Sequence, residues 1–240
     1  MNCILLPVEN VSSGVAHITA LTQISHVQTV LNAAVGDTLK IGQLGGNLGT
    51  AVIDSMTAEC IQLINVKLDM CPPAKLDLTV VLALPRPKVL RRLIMDMTAL
   101  GVRDIILVNS YRTQKSYWQS PMLERLDEFV LEGLQQGIDT IAPTITLEKR
   151  FKPFVEDKLA SWIKGSAIAA HPYGAQSFSQ FLRQQPSLGL PSLVCIGAEG
   201  GWIDYEIALL AAQHCDAVHI GPRILRTEAA VNAILGQWLL

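Results

Sequence analysis

The sequence predicts an α/β protein, with a small β-rich N-terminal domain followed by a larger domain built on a parallel sheet. Three observations predict this. From Leu78 onward, short and fully apolar runs alternate with amphipathic ones. Parallel strands covered on both faces read in that way, and the alternation is that of βαβ units. Before residue 67 the apolar runs are closely spaced and separated by turn residues instead. The length of 240 residues suits a full domain with a smaller companion.

In order, strands are predicted at Cys3–Leu6, Thr38–Leu44, Thr50–Met56 and Glu59–Asn65, with a short helix over Ser25–Asn32. Gly45-Gly46-Asn47-Leu48-Gly49 is a hairpin turn. It lacks the following helix and the Lys-Ser/Thr of a phosphate loop. Residues 67–77, with Pro72-Pro73 and mixed charge, are expected to be a linker. A strand at Leu78–Leu84 and a helix at Pro87–Leu100 follow, the helix ended by Gly101. Next come a strand at Asp104–Val108 and a helix at Pro121–Gln136, with Ser120 as its N-cap and Pro121 at its first position. Apolar strands at Ala167–Ala170, Leu193–Ile196 and Ala217–Ile220 each enter a Gly- or Pro-bearing loop, and a last helix runs from Thr227 to the end.

Charged residues make up 17% and apolar residues 50% of the chain. This excludes a disordered chain. It also leaves apolar surface for an oligomer contact. A net charge of −2 excludes a global basic field for nucleic acid. Locally the balance differs. Residues 1–60 set Lys40 against Glu9, Asp37, Asp54 and Glu59, whereas residues 86–115 carry Arg86, Lys88, Arg91, Arg92, Arg103, Arg112 and Lys115 against Asp96 and Asp104. The second stretch is either a basic patch or a solvated helix face. Cys3, Cys60, Cys71, Cys195 and Cys215 are an odd, widely spaced set without C-x-x-C. They fit neither a zinc site nor a disulfide framework and read as buried thiols in a reducing compartment. No apolar run reaches membrane length and no leader pattern opens the chain, so a cytoplasmic protein is expected.

Chemistry concentrates in three loops, each after an apolar strand: His171-Pro172-Tyr173-Gly174, Gly197-Ala198-Glu199-Gly200-Gly201 and Gly221-Pro222-Arg223-Ile224-Leu225-Arg226-Thr227-Glu228. Ligands of open α/β sheets bind at the carboxyl ends of strands, and glycine lets backbone groups approach them. The loops therefore predict one composite site. The dinucleotide pattern G-x-G-x-x-G and the G-x-S-x-G nucleophile turn are both missing. His171, just before Pro172, reads as structural rather than as a base.

The run Ile196-Gly197-Ala198-Glu199-Gly200-Gly201-Trp202 with Glu206, and then His219 to Ala230 (HIGPRILRTEAA), resembles the 16S ribosomal RNA uridine-N3 methyltransferases, a family of the knotted SPOUT class. Leu100-Gly101-Val102, Arg112, and His26 with Val30-Leu31 resemble further family signatures. The resemblance implies a PUA-like RNA-binding barrel at 1–70 and a SPOUT methyltransferase domain at 71–240 with a C-terminal trefoil knot. It implies S-adenosyl-L-methionine as cofactor, no metal, a homodimer, and ribosomal RNA of the 30S subunit as substrate. Carried over by position, the cofactor would be held by His171, Pro172, Ile196, Gly197, Glu199, Gly200, Gly201, Ile220, Gly221, Ile224, Leu225, Arg226 and Glu228.

Uridine N3 must lose its proton to become a nucleophile, so the site must stabilise an imide anion and accept a proton. Arg226 or Arg223 would serve the anion, the other holding a phosphate, and Glu199 or Glu228 would take the proton. Glu228 has a second reading as a first-turn acid of the last helix. N3 lies on the pairing edge, so the base must be unpaired, with stacking available from Trp202 or Tyr111, Trp202 having a second reading as a core residue. Arg86, Lys88, Arg91, Arg92, Arg112 and Lys115 would meet the RNA. The sequence departs from the family at Asp96, which replaces a Lys, at Ala99, which replaces a Glu, and at Asp139, which replaces an Arg. Asn32 stands where a basic residue is common, and Ala198 and Ala229 replace Pro and Thr. The two charge reversals predict a remodelled RNA surface, and with it the same chemistry on another RNA or a non-catalytic binder as alternatives.

Overall fold

The computed structural model describes residues 2–184 and 189–239. The chain divides into two compact units, one of Met1–Ala74 with Val130–Ala142, the other of Lys75–Phe129 with Pro143–Leu240. The division falls four residues later than the expected boundary at residue 70 and returns a later segment to the first unit.

The first unit holds β1 (Ile4–Leu6), β2 (Val11–Ser12), β3 (Val15–Ile18), α1 (Leu21–Ser25), β4 (Thr38–Gln43), β5 (Leu48–Met56) and β6 (Ile61–Met70). They form one six-stranded sheet in the order β1-β4-β5-β6-β3-β2, antiparallel except where β1 runs parallel to β4. Ile4, Leu6, Ile18, Ile41, Ile53 and Leu63 share its buried core. The predicted hairpin turn is present, with the Gly46 N–H donating to the Gln43 carbonyl at 2.9 Å. The expected linker is mostly strand: Lys67 pairs with Thr50 and Met70 with Leu48. Val66, Leu68 and Met70 alternate with Lys67 and Asp69, which is the period of a strand. The stretch after Met70, with its two prolines, leads out of the strand to the first crossing between the units. The Ser25–Asn32 helix is instead the five-residue α1 followed by a π-type turn over His26–Val30, closed by Asn32 at φ 47°. The returning segment is tied in by polar contacts. The Gln23 side-chain amide donates to the Leu5 carbonyl at 2.8 Å and to Gln135 at 3.0 Å, and the Gly45 N–H donates to the Thr140 carbonyl at 2.9 Å.

The second unit contains β7 (Leu76–Ala83), α2 (Pro87–Ala99), β8 (Val102–Val108), the start of α3 (Leu126–Gly137), β9 (Thr144–Glu148), α4 (Phe151–Asp157), α5 (Leu159–Trp162), β10 (Ala167–Ala170), β11 (Gln176–Ser177), α6 (Phe178–Gln184), β12 (Leu193–Ile196), α7 (Asp204–Ala212), β13 (Cys215–His219) and α8 (Thr227–Leu235). All seven strands are parallel, in the order β11-β13-β10-β12-β7-β8-β9. This is the predicted α/β fold with a parallel sheet. One face packs Val81, Ile106, Ala169 and Cys195 against Phe154 of α4, Leu159 of α5 and Leu210 of α7. Their alternates Leu82, Leu107, Ile168 and Val194 are equally buried, so the sheet is covered on both faces. Burying each such side chain contributes about 2 kcal/mol.

Helix α2 begins at Pro87 and is closed by Gly101 (φ 84°), as its sequence implies. It lies beside α8, where Arg92 pairs with Glu228 at 3.0 Å and the Asn232 amide donates to Asp96 at 3.0 Å. The helix predicted from Pro121 opens as a 3-10 turn, Pro121–Arg125, and becomes α-helical at Leu126, with the Ser120 hydroxyl accepting the Met122 N–H as predicted. The last α-helix ends at Leu235 and continues as a 3-10 turn to Leu239, while Leu240 lies outside the described residues. The thiols are not uniformly buried: Cys3, Cys195 and Cys215 are, Cys60 is half-buried and Cys71 is exposed. No described helix is long and apolar enough to cross a membrane.

Candidate active site

Strands β13, β10 and β12 are neighbours in the sheet, so the three loops predicted to share a site leave adjacent strand ends on the same edge. Each is fixed locally. After β10, the His171 N–H donates to the Val218 carbonyl at 2.9 Å and the Gly174 N–H to the His171 carbonyl at 3.0 Å. After β12, the Gly201 N–H closes a turn on the Ala198 carbonyl at 2.8 Å, with Gly201 at φ 69°, a conformation that disfavours any side chain. After β13, the Gly221 N–H donates to His219 Nδ1 at 3.2 Å.

Together they enclose a cavity of about 330 Å³. Its wall combines apolar Ile196, Ala198, Val218, Ile220, Ile224, Leu225 and Ile234 with the backbone of the glycine loops, and Arg112 and Arg223 are its cations. The volume suits a small organic ligand. Two polar atoms of lining residues, His171 Nδ1 and Trp202 Nε1, are buried without a hydrogen-bond partner among the described residues. Buried polar groups are ordinarily paired, and both atoms belong to residues that line the cavity. Burial holds His171 below its ordinary pKa; Asp204 opposes the shift and Arg112 adds to it.

The expected cofactor residues His171, Pro172, Ile196, Gly197, Glu199, Gly200, Gly201, Ile220, Gly221, Ile224 and Leu225 all line this cavity. Arg226 and Glu228 are not among the lining residues. Arg226 is the N-cap of α8, and Glu228 sits in its first turn, paired with Arg92. Of the expected catalytic group, the cavity therefore brings together Arg223 and Glu199 only. One Glu199 oxygen accepts the Arg86 backbone N–H at 2.9 Å, tying the glycine loop to the start of α2.

Trp202 is corrected as a stacking candidate. It is 2% exposed and packs against Phe151 with ring centres 5.4 Å apart. The two charge reversals differ in setting. Asp139 is buried and accepts the Ile141 N–H at 2.9 Å, and half-buried Asp96 holds Asn232. The expected RNA-binding side chains are exposed. Arg86, Lys88, Arg91 and Arg92 lie at or in the first turns of α2, with the Arg91 guanidinium 5.9 Å from the Phe129 ring centre. Arg112 and Lys115 follow β8.

Two contributions went unread in the sequence. The Arg112 guanidinium donates to the Gly200 carbonyl, and a Cβ on Gly200 would stand 2.9 Å from the Arg112 Cβ, so only glycine lets that side chain lie across the loop. Glu206 is buried, and its two oxygens accept the backbone N–H groups of Tyr111 (2.7 Å) and Ile203 (3.0 Å). A Glu three residues into a helix is a capping signal, but its second partner lies 95 residues away in the chain.

Loops from adjacent parallel strands around an apolar cavity define the class, an α/β domain that binds a small molecule at the carboxyl edge of its sheet. Within that class the chain belongs to the RNA methyltransferase domain family, whose model matches residues 72–239. It is 28% identical over 246 residues to ribosomal RNA small subunit methyltransferase E of Treponema pallidum, covering 97% of this chain and 88% of that one. It is 27% identical over 218 residues to the protein of the same name from a Synechocystis strain, covering 90% and 70%. The crystal structure of a ribosomal RNA small subunit methyltransferase E from Neisseria gonorrhoeae bound to S-adenosyl methionine matches 99% of this chain and 96% of that one, with a TM-score of 0.75 and 19% identity. At that identity the likeness speaks to the fold.

Proposed function

We propose that this chain transfers a methyl group from S-adenosylmethionine to N3 of a uridine in 16S ribosomal RNA. The observation that carries the reading is the cavity of three glycine-bearing loops inside the region matched to RNA methyltransferases. The names of its relatives point to small-subunit ribosomal RNA.

The residues present fit the cofactor. The apolar side chains suit an adenine ring, while the backbone of the glycine loops and the His171 side chain offer polar partners for its edge and ribose. When bound, S-adenosylmethionine supplies an electrophilic methyl on its sulfonium. This chain's residues must then handle the uridine. Arg223, the lining cation on the β13 loop, stabilises the charge that develops on the imide as N3 loses its proton. Glu199 accepts that proton through the oxygen that Arg86 does not occupy and passes it to solvent. Arg226, exposed at the start of α8, holds a backbone phosphate, as do the cations of α2. Glu228 orients Arg92.

The same reading includes a PUA-like RNA-binding barrel for the first unit, a trefoil knot formed by the C-terminal loops, and a homodimer in which exposed Ile224 and Leu225 at the cavity rim meet the partner. It includes a cytoplasmic enzyme that acts on the 30S subunit. Asp139 is buried, which removes one of the two reasons to assign another RNA, whereas Asp96 holds Asn232 in an exposed contact.

The test is methyl transfer from labelled cofactor to 30S subunits and to total RNA from cells lacking this gene, with the product nucleoside identified by mass. N3-methyluridine in 16S RNA is expected. Label in a different RNA would move the substrate. A chain that binds cofactor by calorimetry but labels no RNA would overturn the enzymatic reading.

A further inference from the structure

We propose that Tyr111 is a stacking platform for an RNA base that flanks the reacting uridine, displayed beside the cavity by a loop whose backbone is pinned from beneath. The inference rests on the RNA methyltransferase reading above and adds a residue to it. The Tyr111 side chain is 79% exposed, and its ring has no aromatic or cationic partner among the described residues. Its backbone is the reverse. The Tyr111 N–H is held by the buried Glu206 carboxylate at 2.7 Å. The next turn is closed by the Thr113 N–H on the Ser110 carbonyl at 3.0 Å, by the Ser110–Thr113 hydroxyl contact at 2.9 Å, and by Thr113 donating to the Leu84 carbonyl at 3.2 Å. Arg112 lies across Gly200. A large flat ring is thus left in solvent on a rigid base, so little conformational entropy remains to be lost on stacking.

Of the other aromatics near the site, Trp202 is core, Trp118 donates to Asn109 and carries Lys149 over its face, and Tyr173, itself 76% exposed, lines the cavity and meets the His171 ring edge-on at 5.6 Å. Position decides which base Tyr111 meets. Arg112 lines the cavity and Tyr111 does not, so a uridine inside the cavity places its neighbour, not itself, against the Tyr111 ring. Lys115, exposed four residues on, supplies a cation for the adjoining phosphate. Every base has a π-face, so the contact adds affinity without reading sequence.

The experiment compares the full-length wild-type chain with Tyr111→Ala and Tyr111→Phe in filter binding to a 16S RNA transcript and in methyl-transfer kinetics. Loss of one stacked base predicts that Tyr111→Ala weakens RNA binding and raises the RNA KM about tenfold, with kcat and cofactor affinity within about twofold, and that Tyr111→Phe retains wild-type behaviour. Irradiating the wild-type complex with a 5-bromouridine-substituted transcript should give a crosslink that mass spectrometry places on Tyr111. An alanine variant that binds RNA and turns it over like the wild type overturns the proposal while leaving the enzymatic reading intact. A fall in kcat at unchanged KM overturns the assignment to a flanking base. A wild-type chain that binds no RNA overturns the proposal together with the functional reading it rests on.

Discussion

Replacing Glu206 by Gln tests whether the carboxylate is a two-sided backbone anchor or a helix-end charge. Both oxygens accept backbone N–H groups, from Tyr111 at 2.7 Å and Ile203 at 3.0 Å, and the residue is 3% exposed. Glutamine keeps the shape but has one acceptor, so its NH₂ must face one of the two N–H donors. A hydrogen bond to a charged group is worth about 1.5–3 kcal/mol, and a buried donor left unpaired costs about 1–3 kcal/mol. These overlap rather than add, so the expected loss is about 2–4 kcal/mol. If Glu206 acted only as an acid in the first turn of α7, the loss would be about 0.3–1 kcal/mol. Urea unfolding of the two chains separates the ranges, with the midpoint shift read at constant m. In thermal unfolding the larger loss corresponds to a fall in Tm of roughly 5–15 °C for a protein of this size. A loss below about 1 kcal/mol would refute the two-anchor account. Glu206→Asp, one methylene shorter, should behave like Gln because it cannot reach both donors.

Arg223 lines the cavity and Arg226 does not, so their alanine variants should fail differently. Arg223→Ala should lower kcat about 100-fold with cofactor affinity little changed, and Arg226→Ala should raise the RNA KM and flatten its salt dependence; the reverse pattern would exchange the two roles. Burial, opposed by Lys40, pushes the Cys3 thiol up to about 11, and burial likewise raises Cys195 well above the ordinary thiol range. Alkylation of the folded chain at pH 8 followed by peptide mapping should therefore label exposed Cys71 and spare Cys3, Cys195 and Cys215. His171 has a folded pKa below its unfolded value, so the unfolded state binds more protons as pH falls. Its contribution to stability is present above about pH 6.5 and declines below it. His171→Gln should lose less stability than the wild type between pH 7.5 and 5.5 in urea titrations, and an identical pH profile would refute the assignment.

What the sequence made legible were the elements whose pattern is local. Strands β7, β8, β10 and β12 were readable because each carries a short apolar run buried on both faces, whereas β13 (CDAVH) is only partly buried. Helix α2 announced its ends through Pro87 and Gly101, and Ser120 announced its cap. Three glycine loops after such strands located the cavity. Elements without a distinctive period were missed. Helix α7 (DYEIALLAA) is apolar nearly all round, and β9 (TITLE) is an edge strand with half its side chains in water. The return of residues 130–142 to the first unit rests on contacts such as Gln23 with Gln135, which no local window contains. The family resemblance puts Asp139 at the RNA surface because it stands where an Arg is usual, whereas it is buried and takes a backbone N–H.

The same distinction explains why the site is larger than the three loops that advertised it. Each of three residues in or just after the glycine loop is tied to a strand end outside that set. Glu199 accepts from Arg86 at the end of β7, Gly200 accepts from Arg112 beyond β8, and Ile203 shares Glu206 with Tyr111. The ends of β7 and β8 therefore brace the loop after β12 from outside a cavity whose wall comes from the ends of β10, β12 and β13 together with Arg112. Arg86 and the exposed Tyr111 ring stand on that brace and outside the lining, whereas the wall itself is largely apolar and glycine-rich, suited to a small cofactor. One loop, Gly197–Trp202, joins both halves. That loop is tied to Arg86, Arg112 and the turn that carries Tyr111, so on the proposed reading substitutions at Gly200 should disturb cofactor and RNA affinity together, while those at Tyr111 should disturb RNA alone.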